Sequence, residues 1–90
     1  MAELPAIAAD DERLAVFTTI RDLFRYAVSR FNSADLAYGH GATNAFDEAA
    51  FIVLEGLKLP IDALDPFLDA RLIRAERVRL LALIDARLAT

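Results

Sequence analysis

The chain has 90 residues, a net charge of −4 and no cysteine, and apolar residue types make up 57% of it. That length suits one domain with an adequate core, and the missing cysteine excludes disulfides, thiolate metal sites and a cysteine nucleophile. The longest unbroken apolar run, Ala49 to Leu54, falls far short of the roughly 20 residues that span a bilayer. The first residues lack the basic start and apolar core of a signal peptide, so the chain is expected to be soluble and cytoplasmic, with no membrane partner. Net negative charge argues against nucleic acid as the main partner. The charge is uneven: residues 1–65 hold eleven acids against five bases, and residues 66–90 hold three against five.

Residues 1–9, with Glu3 and Pro5, read as a flexible N-terminal tail, and residues 10–90 as one helical domain. Asp10, Asp11 and Glu12 suit the first turn of a helix, where negative charge offsets the helix dipole. Leu14, Phe17, Ile20, Phe24, Val28 and Phe31 follow at spacings of three and four, which predicts one helix to about Phe31 or Asn32. Asn32-Ser33-Ala34-Asp35 is turn chemistry, and Asp35 to Tyr38 adds at most one helical turn. Gly39 and Gly41 break the helix around the only histidine, His40.

A second helix should start at Asn44, as N-cap, with Asp47 and Glu48 in its first turn. Phe46, Ala49, Ala50, Val53, Leu54 and Leu57 draw one apolar stripe, and Phe51 and Ile52 lie off it. That helix is expected to be central, weakened near its end by Gly56 and stopped by Pro60. Leu64-Asp65-Pro66 is another start signal and predicts a short helix to about Ala70. The last helix is predicted over roughly Arg74 to Leu88, with Ile73, Leu80, Leu81, Ile84 and Leu88 inward and most of Arg71, Arg74, Arg77 and Arg79 outward. Glu76 supplies half of a capping box, but Ile73 stands where its Ser or Thr partner belongs. No alternating β-branched run or hairpin dipeptide occurs. The fold class is therefore all-α, a small bundle of four to five helices.

Reactive constellations are scarce. His40 has no carboxylates at ligand spacing and no cysteine beside it, so a loop or partner contact is favoured over a metal role. Ser29 and Ser33 are a helix-face residue and a turn former, with no nucleophile elbow around them. Asp47 and Glu48 point about 100° apart on a helix, which suits capping better than acid–base work on one atom. Gly39-His40-Gly41 matches no phosphate-binding spacing, and the two acids behind it would repel a phosphate. The arginines from Arg71 to Arg79 lack the interleaved aromatics of a base-stacking surface. The residues alone describe a binding or scaffolding module.

One stretch carries a resemblance. Ser29-Arg30-Phe31, then Tyr38-Gly39-His40-Gly41, then Asn44-Ala45-Phe46-Asp47-Glu48-Ala49, with Leu57-Lys58-Leu59-Pro60 and Ala70-Arg71-Leu72 behind, resembles the N-terminal part of the HemK-type bacterial protein-glutamine methyltransferases that modify ribosomal protein L-three. The likeness runs from about Leu14 to the last helix. It implies a helical substrate-recognition domain joined to a Rossmann-like catalytic domain. That catalytic domain binds S-adenosylmethionine, holds the glutamine with an Asn-Pro-Pro-Tyr motif and methylates its side-chain amide. No such motif, glycine-rich loop or strand is present here. The catalytic domain is therefore expected to be absent from this chain, with no cofactor bound by this segment.

The implied partners are a basic large-subunit ribosomal protein, drawn by the acidic body, and the parent's own catalytic domain. Tyr38, Gly39, His40, Gly41, Thr43 and Asn44 are the candidate partner-binding residues, since Tyr38 and His40 each combine a ring face with a polar tip. Equally, Tyr38 could pack on the bundle and His40 could brace the turn. A competing reading is a structural or self-association module in which exposed Phe51 and Ile52 form the interface. A free-standing enzyme is disfavoured.

Overall fold

A computed structural model describes residues 3–38 and 44–89. Four α-helices form the frame: α1 (Arg13–Val16), α2 (Ile20–Ala34), α3 (Ala45–Leu57) and α4 (Arg74–Leu88). A single 3-10 turn (Asp65–Phe67) lies between α3 and α4. No strand forms among the described residues; Thr19 and Arg71 make one isolated antiparallel bridge. The all-α class stands.

The single first helix anticipated from the apolar spacing is in fact two. Phe17 is extended and ends α1, and Thr19, also extended, caps α2. The cause is a reciprocal capping box. Thr19 Oγ1 accepts from the Asp22 amide at 3.2 Å, while Asp22 Oδ2 accepts from the amides of Thr19 at 3.1 Å and Thr18 at 3.0 Å. The two remaining free amides at the start of α2 are also met: Ile20 donates to the Ala70 carbonyl and Arg21 to the Leu68 carbonyl. These bonds lay the 68–72 segment across the head of α2, where it satisfies donors that a buried helix end would otherwise leave unpaired.

Helix α3 begins as its sequence predicts. Asn44 Oδ1 accepts from the Asp47 amide at 2.9 Å. It ends at Lys58, which takes a left-handed φ of 60° and donates to the Glu55 and Leu54 carbonyls. Leu59 also donates to Leu54, a pairing that closes helix C-termini. The inward face differs from the predicted stripe. Ala45, Ala49, Val53 and Gly56 point inward, Leu54 is buried, and Phe46 is 56% exposed. Ala45 takes the inward position at the helix head, which rotates Phe46 about 100° outward. Gly56 is more than a weak point. A Cβ there would lie 2.9 Å from side-chain carbons of both Leu80 and Leu83, so α3 and α4 approach closely at that residue.

The short element after Pro60 is a 3-10 turn over Asp65–Phe67, shorter than the helix its start signal predicts. Helix α4 spans the predicted residues. Glu76 Oε1 accepts from the Ile73 amide at 3.0 Å, and the aliphatic Ile73 cannot return the bond. Ile73 is 67% exposed rather than inward, because it sits at the N-cap, outside the helical repeat. The core is Leu23, Ala27 and Phe31 of α2, Ala49, Val53 and Leu54 of α3, and Leu80, Leu81 and Ile84 of α4, all buried. Every buried core side chain among the described residues is apolar.

Arg13 joins the N-terminal segment to this core. Its guanidinium forks onto Asp85 with two 2.9 Å bonds and donates to Asp11 at 3.0 and 2.8 Å. It also donates to the Tyr26 hydroxyl at 2.9 Å. Hydrogen bonds from Arg13 hold the Asp11 carboxyl at a pKa of about 2, and Asp11 and Asp85 in turn raise that of Arg13. Asp22 is lowered too, chiefly by the Thr18 amide.

Candidate partner-binding surface

The two described members of the Tyr38–Asn44 set are both held in place. Arg87, from the last turn of α4, donates to the Ala37 carbonyl at 2.7 Å and pairs with Glu48 of α3 at 3.4 Å. Its guanidinium carbon lies 6.0 Å from the centre of the Tyr38 ring, within the range of a cation–π contact. Tyr38 is half-buried against the core. Asn44 spends a side-chain oxygen on the α3 cap. Gly39, His40, Gly41 and Thr43 lie outside the described residues. Helix α4 thus contacts Ala37 and Tyr38 on one side and Glu48 on the other.

Beside this region lies a feature that apolar spacing alone did not single out. A groove of about 620 Å³ opens between α2 and the segment that follows α3, over Phe24, Val28, Phe46, Leu64 and Leu68. A second hollow of about 380 Å³ adjoins it along Ile61, Asp62 and Pro66, and the two share Phe46, Leu64 and Asp65. Phe46 meets Phe24 edge-on, with ring centres 4.9 Å apart, so this exposed ring is braced from one side. The α2 wall carries Arg21 and Arg25, and the opposite wall carries Asp65. Arg21 pairs with Asp69 at 3.0 Å in an exposed contact. The groove exists because the 68–72 segment is bonded to the head of α2 while α3 turns Phe46 outward.

Away from these hollows the other exposed large apolar residues among the described ones are scattered: Leu4, Val16, Phe51 and Ile73. Phe51, 50% exposed, lies one turn from Asp47 on one side and Glu55 on the other, on the outward face of α3. Among the described residues no group of three or more potential metal-ligating side chains occurs, and no helix is long and apolar enough to cross a membrane. The arrangement offers charge, apolar surface and shape, the means of recognition.

No family model matches the chain, and no solved structure matches it. Curated proteins do. A ribosomal protein uL3 glutamine methyltransferase of Bordetella pertussis is 64% identical over 69 residues, which is 77% of this chain and 23% of that protein. Proteins of the same description from Neisseria meningitidis serogroup B and Xanthomonas campestris are 57% identical over 70 residues and 48% identical over 84 residues. The Xanthomonas match covers 93% of this chain and 26% of that protein. The chain spans about a quarter of the length of the curated relatives it matches, and the matching part is their N-terminal segment.

Proposed function

We propose that this chain, a homologue of the N-terminal segment of the ribosomal protein uL3 glutamine methyltransferases, serves such an enzyme as its helical, non-catalytic, substrate-docking part. The substrate is the one in the relatives' name, uL3, and the work is to hold that protein near a catalytic domain that lies outside the matched segment. Residues 10–90 form the docking domain.

The observation that carries the reading is an open apolar groove with Asp62 and Asp65 along one side, together with the acidic outward face of α3. Asp47, Glu55, Asp62 and Asp65 are exposed on α3 and the segment behind it, and the chain as a whole is acidic. A ribosomal protein that contacts RNA phosphates is typically basic, and opposite charge speeds and orients encounter. The candidate contact is the Tyr38–Asn44 set, with Tyr38 and Asn44 held by the bundle, together with the groove beside it.

S-adenosylmethionine, the usual methyl donor of methyltransferases, does not fit the described residues. They offer helices packed through apolar side chains and no strand–loop–helix cradle for a nucleotide. No chemical step is assigned to them, and methyl transfer belongs to the longer enzyme. The cytoplasm is the setting this function requires.

Competition tests the proposal. An excess of this chain should slow methylation of uL3 by a full-length relative, such as the Bordetella pertussis enzyme, and added uL3 should relieve the inhibition. An undiminished initial rate at high micromolar folded chain would remove the docking role. A second reading rests on Phe51, whose exposed ring could serve self-association. Sedimentation should then show a dimer that Phe51→Ser abolishes, and monomers at all concentrations would dispose of it.

A further inference from the structure

Resting on the docking role just proposed, we infer that the groove between α2 and the 61–68 segment seats an apolar stretch of the protein substrate, one that carries a carboxylate on its α2 side and a basic residue on the opposite side. The floor is ready-made. Phe46 is 56% exposed yet stacked edge-on against Phe24, so a partner gains the burial of an aromatic ring that is already braced. Aromatic anchors of this kind dominate binding energy when a partner excludes water from them. The hollow of about 620 Å³ and its neighbour of about 380 Å³ have the size of sites that enclose several side chains.

The walls fix the direction of the occupant. Arg21 and Arg25 stand one helical turn apart on α2, and Arg25 has no hydrogen bond or ion pair with any described residue. The Arg21–Asp69 pair is exposed and is worth little there, so Arg21 can exchange it for a partner's carboxylate. Asp65 faces them across the apolar floor, and Asp62 extends the acidic side along the second hollow. A segment laid in reverse would set like charges against each other on both walls, which costs affinity and enforces one orientation. A second copy of this chain is a poor match: its exposed Phe51 lies between Asp47 and Glu55 with no base beside it, so it offers nothing to pair with Asp65.

The test is fluorescence anisotropy of labelled uL3 titrated with the 90-residue chain and its variants, each verified as folded by thermal melting. Phe46→Ala should weaken binding at least about tenfold. Arg25→Glu and Asp65→Lys should each weaken it several-fold, and Val16→Ala, an exposed apolar residue of α1, should leave it unchanged. Arg25→Glu lies wholly at the surface and keeps the test decisive if Phe46→Ala melts early. Binding of uL3 that all three groove variants retain in full would overturn the inference while leaving the docking role intact. Absence of binding by every form, wild type included, would remove the docking role itself. Dimerisation of the chain that Phe46→Ala abolishes would overturn the inference in favour of a second copy.

Discussion

Arg13 hydrogen-bonds the N-terminal segment to both α2 and α4, and its replacement by alanine shows how much of the fold depends on that joint. The fork onto Asp85 consists of two charge-assisted bonds of 2.9 Å. Fully buried, bonds to charged groups contribute about 1.5–3 kcal/mol each. Here the Arg13 and Asp85 side chains are 21% and 28% exposed, so solvent screening brings the fork down to about 1–1.5 kcal/mol in total. The bond to the Tyr26 hydroxyl and the stacking of the guanidinium 5.7 Å from that ring add about 0.5–1 kcal/mol. Arg13→Ala should therefore destabilise the domain by about 2 kcal/mol, equivalent to a fall in Tm of roughly 10 °C for a domain of this size. Urea titration followed by circular dichroism measures it. Arg13→Lys keeps the charge but not the fork and should lose about half as much. A cycle with Asp85→Ala should return a coupling of about 1 kcal/mol. An Arg13→Ala variant within about 0.5 kcal/mol of wild type, the ordinary range of surface substitutions, would refute this account of the joint.

Three further outcomes are expected. Gly56→Ala gains about 1 kcal/mol of helix propensity but sets a methyl 2.9 Å from Leu80 and Leu83 carbons; Leu80 is fully buried, so overpacking of about 1–3 kcal/mol should win, and a stabilised variant in the same titration would contradict the close approach. Thr19→Ala should cost about 1 kcal/mol by removing the α2 cap, and Thr19→Ser should stay near wild type; equal stability of all three would deny the capping box its role. Asp11 and Asp22 have pKa values depressed in the folded state, Asp11 to about 2, so their contribution is present above the ordinary carboxylate range and disappears as pH falls through about 4 towards 2. Stability measured against pH should drop across that window and drop less steeply in Asp11→Asn and Asp22→Asn; unchanged slopes in both variants would show that these carboxyls do not drive it.

Particular residues show what was legible in the sequence. Helix α4 and the Asn44 cap were readable, because apolar spacing and a capping residue are local signals. The break at Phe17–Thr19 was also encoded, in the box formed by Thr19 and Asp22. The unbroken spacing of Leu14, Phe17 and Ile20 hid it, since the same periodicity fits one helix or two. Phe46 misled because the inward face of α3 runs through the small Ala45 and Gly56, the latter at the close approach of α4, and a count of large apolar residues gives these no weight. Ile73 misled for a related reason, as a residue at a helix cap lies outside the repeat. The groove was out of reach: Phe24 and Leu68 line one hollow because the amides of Ile20 and Arg21 bond to the carbonyls of Ala70 and Leu68, a pairing that no local pattern announces. Of the candidate partner-binding residues singled out in the sequence, Tyr38 and Asn44 sit on well-anchored chain. The case for Gly39, His40, Gly41 and Thr43 still rests on the sequence.

The central claim is that this domain holds the protein substrate without catalysing its modification. Titration calorimetry of the folded 90-residue chain with purified uL3 tests it most directly. Saturable binding at micromolar concentration, weakening as salt is raised, is the predicted result. No heat of binding at high micromolar concentration, with the chain folded throughout, would contradict it.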